Sequence, residues 1–100
     1  MNIKVKYITP INDVVGKSEE SFDVESGTKI SDLIKQMIRR YGEGLRNFLA
    51  GPEEGEFLSE KIKIGIHREG MIGTKTIELL SGIETILENK DQVLLYLAQA

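Results

Sequence analysis

Between Ile30 and Tyr41, in the run ISDLIKQMIRRY, the apolar residues Ile30, Leu33, Ile34, Met37, Ile38 and Tyr41 recur at steps of three and four. That spacing predicts an α-helix with one apolar face. Ser31, Asp32, Lys35, Gln36, Arg39 and Arg40 fall on the opposite, solvated face, with the acid in the first turn and the arginines in the last, as the helix dipole favours. A helix this short is marginal in water alone, so its stability must come from a surface that covers the stripe. The rest of the chain has to supply that surface.

It does so with strands. Residues 2–9 alternate, Ile3, Val5 and Tyr7 on one side and Lys4, Lys6 and Ile8 on the other, the period of a half-buried strand. Pro10 has no N–H for a ladder and holds Thr9 out of the helical region, so the strand ends there and INDVVGK is expected to be a loop with Gly16. A second, polar strand is predicted over residues 18–24. Phe22 and Val24 are its main apolar residues and Glu19, Glu20 and Asp23 surround them, a composition suited to a sheet edge that must resist pairing with other chains. Thr28 and Ser31 are both candidates to cap the helix, and Gly42 is placed to end it. Leu45, Phe48 and Leu49 follow at helical spacing in a short turn or helix, and Gly51, Pro52 and Gly55 then cut the pattern off. Glu53, Glu54 and Glu56 in that stretch are expected to form a solvated loop tip.

Residues 61–66 return to alternation, Ile62, Ile64 and Ile66 against Lys61, Lys63 and Gly65. A glycine-interrupted stretch over 67–75 leads to a short strand within 76–80. The last element, Gln92 to Leu97, is entered through the turn-like Glu88-Asn89-Lys90-Asp91 and is apolar on both sides. A strand of that kind is usually central and parallel to a neighbour. Hairpin, helix, strands and a terminal strand parallel to the first make an α+β fold of the β-grasp type, a mixed sheet of four to five strands wrapped over one main helix. Residues 1–100 are expected to form one domain, large enough for a core of its own. A ferredoxin-like sandwich would need a second long amphipathic helix.

Composition narrows the function classes. With no cysteine there is no disulfide framework, thiolate nucleophile or sulfur-based zinc site, and the cytoplasm is the expected compartment. The N-terminus MNIKVKYI never builds a signal peptide's apolar core, and no run approaches the roughly 18 apolar residues of a membrane span. A net charge of −3, with basic residues dispersed among acids, argues against a nucleic-acid partner. His67 is the one histidine and is expected in a solvent-facing turn rather than in a metal or catalytic site. The glycines at 65, 70, 73 and 82 form no phosphate loop, since no Gly-Lys-Ser/Thr follows them. No catalytic residue, metal ligand or cofactor site is expected. Interaction with a protein is the remaining class: one face of the last strand covers the helix, and the other would show either Leu94 and Tyr96 or Leu95 and Leu97 beside Lys4, Lys6 and Ile8, an apolar patch rimmed by lysine.

Four stretches, IKVKY, VVGKSEE, SGTKISDLIKQMIRRYG and SGIETILENKDQVLLY, together resemble one family, the ubiquitin-like sulfur carriers of the MoaD and ThiS type. IKVKY with the following VVGKSEE resembles its first strand and the GRSEE-like start of its second, and SGTKISDLIKQMIRRYG resembles its EGxTVxDLLxxLxxRYP segment. SGIETILENKDQVLLY, residues 81–96, is similar to GGLDTPLKDGDEVxxF of the longer MoaD-like proteins, whereas IKIGIHREG departs in detail from their IxVxVNGxxI.

The resemblance implies a small β-grasp protein without catalysis of its own. Its C-terminal glycine carboxylate would be adenylated by an E1-like activating enzyme, converted to a thiocarboxylate and threaded into a larger synthase-like subunit, which uses the sulfur for a molybdopterin or thiazole precursor. That chemistry uses two terminal glycines, whose lack of Cβ lets the backbone enter a narrow channel. This sequence ends Leu97-Ala98-Gln99-Ala100. The partner-binding residues the reading implies are Leu94, Tyr96, Leu97, Ala98, Gln99 and Ala100. Two classes stay open: a β-grasp subunit acting through protein–protein interaction, related to molybdenum or tungsten cofactor synthesis, or a working sulfur carrier or ubiquitin-like modifier that carries glycines after Ala100.

Overall fold

The computed structural model describes residues 1–49, 61–68, 75–76 and 82–97, of which 75 and 76 are described by backbone alone. The expected acidic loop at Glu53, Glu54 and Glu56, the glycines at 70 and 73, most of the predicted strand within 76–80, and Ala98, Gln99 and Ala100 lie outside the described residues.

In chain order the elements are β1 (Asn2–Tyr7), α1 (Ile11–Val15), β2 (Glu19–Asp23), α2 (Ile30–Tyr41), α3 (Glu43–Leu49), β3 (Ile62–His67), β4 (Lys75–Thr76), a 3-10 turn at Gly82–Glu84, and β5 (Gln92–Leu97). The strands form one mixed sheet in the order β2-β1-β5-β3-β4. β5 runs parallel to β1, Val5 beside Val93 and Tyr7 beside Leu95, and antiparallel to β3, Ile64 beside Leu95. The strand that is apolar on both sides is therefore central, and the polar β2 is an edge. The α+β, β-grasp expectation holds.

α2 occupies the predicted span, and its stripe is what the sheet covers: Ile30, Leu33, Ile34 and Met37 are buried with Ile3, Val5 and Tyr7 of β1, Phe22 of β2, Ile62, Ile64 and Ile66 of β3, and Val93 and Leu95 of β5. Burying one such aliphatic side chain stabilises by about 1.5–3 kcal/mol, which is why a three-turn helix persists here and not in water. Gly42 ends the helix at φ 80°, ψ −158°, a region open to glycine, and donates its N–H to the Ile38 carbonyl at 2.7 Å.

Three local expectations are corrected. The loop after Pro10 contains α1: Ile11 and Val15, one helical turn apart, are both buried, and Gly16 at φ 88° closes the turn by donating to the Asn12 carbonyl. Neither Thr28 nor Ser31 caps α2. The cap position is Lys29, whose N–H donates to the Asp32 carboxylate at 3.1 Å, while the Thr28 hydroxyl donates to the Glu25 carbonyl at 2.7 Å and the Ile30 N–H donates to the Thr85 carbonyl. His67 is not a turn residue; it ends β3, paired with Gln92 and half-buried.

Candidate interaction site

Because side chains alternate across a strand, the residues that do not cover α2 make up the other face of the sheet. On β1 these are Lys4 and Lys6, followed by Ile8; on β5 they are Gln92, Leu94 and Tyr96; on β3 they are Lys63, Gly65 and His67. The pairing sets Lys4 beside Gln92, Lys6 beside Leu94 and Leu94 beside Gly65, with Tyr96 beside Lys63. Leu94 and Tyr96 are half-buried and Ile8 is 42% exposed. Of the two alternatives posed by the sequence, Leu94 and Tyr96 are the outward pair, and Leu95 is wholly buried under α2. Leu97 falls on the side of Leu95, opposite Ile62, and is exposed at the strand's end. It therefore stands apart from Leu94 and Tyr96. Ala98, Gln99 and Ala100 complete the expected site but lie outside the described residues.

Two polar clusters hold the sheet on either side of this face. At the end of the sheet where β5 stops, the Glu20 carboxylate of β2, 7% exposed, accepts from the Tyr7 hydroxyl at 2.5 Å, the Tyr41 hydroxyl at 2.6 Å and the Arg40 guanidinium at 3.1 Å, with the Lys17 ammonium 3.5 Å away. Arg40 also lies over the Phe22 ring, 4.6 Å from its centre. Burial alone would raise the Glu20 pKa, but the bonds from Tyr41, Tyr7 and Arg40 and the Lys17 charge outweigh it and hold the carboxyl below its usual range. Burial and the bond to this carboxylate push the Tyr41 phenol up to about 12, and the same causes raise Tyr7 further. At the opposite end, Arg68 after β3 grips Asp91 before β5 through two nitrogens, bonds the Glu88 carboxylate at 2.6 Å and donates to the Ile86 carbonyl at 3.3 Å. Asp91 is wholly buried and also accepts from the Glu88 N–H at 2.8 Å.

Both clusters were missed in the sequence, where Glu20 passes for an edge-strand charge and Asp91 for a turn residue. Each is built from residues remote in the chain, and the only local hint is a carboxylate at a position that alternates inward. In each, a buried carboxylate bonds groups from other elements, so the clusters position the sheet. Among the described residues no cluster of three or more His, Cys, Asp or Glu side chains is placed to hold a metal, and no helix is long and apolar enough to cross a membrane.

No family model and no curated protein sequence matches the chain. Solved structures do. Small archaeal modifier protein 1 of Methanosarcina acetivorans superposes with a TM-score of 0.75 at 23% identity, over 99% of this chain and 94% of that one. The putative molybdopterin converting factor, subunit 1, of Pyrococcus furiosus gives 0.67 at 19% identity over 99% of both chains. The BexX/CysO complex of Amycolatopsis orientalis gives 0.69 at 17% identity, over 98% of this chain and 97% of the matched one. These neighbours are of the ubiquitin-like carrier kind that the motifs resemble, and at such identities they establish architecture: the chain has the ubiquitin-like β-grasp fold, along the whole length of its structural neighbours.

Proposed function

We propose that this chain is a non-catalytic, MoaD-like β-grasp subunit that docks a larger protein through the open face of its sheet, in a pathway related to molybdenum or tungsten cofactor synthesis. The observation that carries the proposal is the half-buried pair Leu94 and Tyr96 on the central strand, where both neighbouring strands turn only polar or small groups outward apart from Ile8. Such a strip, apolar within and lysine-bordered, suits a protein surface. The CysO neighbour is solved with a protein partner, BexX. The Pyrococcus neighbour's name and the motif at residues 81–96 support the pathway. By the same resemblance the partners are a synthase-like large subunit and an E1-like activating enzyme.

The test is calorimetric titration of the chain with both candidate partners encoded in its own genome. Binding to at least one is expected, with a loss of 100-fold or more in the Leu94→Lys/Tyr96→Lys variant while its melting temperature is kept. Binding to neither, or undiminished binding of the variant, overturns the proposal.

A second reading, sulfur carriage, is favoured by one feature: β5 runs up the centre of the sheet and its last described residue, Leu97, is exposed. The readings separate by intact mass after incubation with the activating enzyme, ATP and a sulfur donor, using the polypeptide ending at Ala100 and one extended by Gly-Gly. Thiocarboxylate on the extended chain supports carriage; on neither chain, it leaves docking alone.

A further inference from the structure

The charge of the whole chain and the charge of its open face call for opposite partners. The net charge is −3, which by itself favours a basic partner. On the outward side of the three inner strands, however, the ionisable residues are Lys4, Lys6, Lys63 and His67, and none is acidic. Among the described residues, the acids on this side of the sheet are Glu19 and Asp23, one strand further out on β2, across from Lys6 and Asn2. Lys4 and Lys6 are half-buried, and a lysine at such a position commonly lays its stem along the apolar surface and keeps its ammonium in water. They border Gln92 and Leu94 on one flank of β5, and Lys63 stands beside Tyr96 on the other. At physiological salt, charges more than about 8 Å apart are largely screened. A group seated on Leu94 is therefore governed first by the adjoining Lys6 and by Lys4 next along β1, and the described acids further off act weakly at that distance.

We propose that the β1–β5 half of the open face takes a protein surface in which an apolar or aromatic side chain is flanked by carboxylates. The inference rests on reading this face as a docking surface, and it adds the chemistry of the partner. The apolar group sits on Leu94, Tyr96 and Ile8, and the carboxylates face Lys4 and Lys6. Glu19 and Asp23 repel an acidic partner displaced toward β2, which fixes its lateral position on the sheet.

The experiment is an NMR titration of the isotopically labelled chain with a synthetic peptide of sequence Glu-Leu-Asp-Phe-Asp-Leu-Glu, and with its counterpart carrying lysine at every acidic position. The acidic peptide should give saturable shifts at the amides of Lys4, Lys6, Ile8, Leu94 and Tyr96, weakened at least tenfold by 0.5 M salt, and the basic peptide should bind at least tenfold more weakly. Lys4→Glu/Lys6→Glu should reverse the preference, and the milder Lys4→Gln/Lys6→Gln should abolish it without reversal, each checked for native fold by its amide spectrum. No saturable shift, equal response to both peptides, or variants that behave as wild type would overturn the inference. A chain that fails here yet binds a candidate partner through Leu94 and Tyr96 keeps the docking function and loses only the acidic-partner rule. A chain that passes here and binds neither candidate keeps the charge rule and loses the pathway.

Discussion

The Arg68 guanidinium meets the Asp91 carboxylate at two points, Nε to Oδ1 and Nη2 to Oδ2, each at 3.0 Å. Asp91 has no exposure of its own, so this fork is what neutralises it, and it ties the end of β3 to the turn that launches β5. Removing one partner strands a buried charge. Arg68→Met should cost about 3–5 kcal/mol, and Arg68→Lys should recover only part of that because a single ammonium cannot make the fork. Urea midpoints measure both. Arg68→Met combined with Asp91→Leu should lose clearly less than the sum of the two single changes; strict additivity would show that the fork is not a unit.

The Glu20 cluster predicts how stability responds at both ends of the pH scale. For Glu20 the folded pKa is lowered, so its contribution is present above the ordinary carboxylate value of about 4.3 and is lost as pH falls through the folded value. For Tyr41 the folded pKa is raised, so its contribution is full below the ordinary phenol value near 10 and is lost as pH rises toward about 12. Tyr41→Phe and Tyr7→Phe should each cost roughly 1.5–3 kcal/mol at neutral pH, the range for a hydrogen bond to a charged group. In Glu20→Gln the acid limb of the stability profile should shrink. An acid limb of unchanged size in that variant would assign it to other carboxylates.

Truncation along α2 should separate its two faces. Leu33→Ala and Ile34→Ala remove wholly buried side chains and should each cost about 2–5 kcal/mol. Lys35→Ala, at an exposed position, should stay within about 1 kcal/mol. Equal melting of these variants would mean that the sheet does not cover the stripe.

On β5 the same division runs between neighbours. Leu95→Lys/Leu97→Lys should unfold the protein, with Leu95 responsible, since it drives a charge under α2. Leu94→Lys/Tyr96→Lys should keep the native circular dichroism spectrum. Loss of structure in both variants would count against a solvent-accessible outer face.

What could be read in the sequence follows what is periodic. The stripe of α2 and the two-sided apolarity of β5 each repeat within a single element, and both placed their elements at the observed bounds. α1 was missed because it is one turn long: Ile11 and Val15 carry the helical spacing, but two residues make no pattern beside a proline and a glycine. The outer pair Leu94 and Tyr96 was one of two alternatives, because a strand apolar on both sides does not say which side meets the helix. That choice is made by the burial of Leu95 and Val93. Glu20 and Asp91 illustrate the harder case. Their partners Tyr7, Tyr41 and Arg68 come from other elements, so nothing local to either carboxylate announces that it is bonded inward.

The parallel pairing of β1 with β5 joins two strands far apart in the chain and sets them side by side in the sheet. During synthesis, then, β1 and β2 can form a hairpin and α2 can coil against it, yet the second edge of β1 has no ladder partner until residues 92–97 have emerged. Contacts between segments so far apart in the chain are slow to form, and the strand left waiting is an open ladder. This domain should therefore close late, and its polar, acid-rich second strand guards only the outer edge of the unfinished hairpin, leaving the β1 edge that awaits β5 as the one open to pairing with another chain.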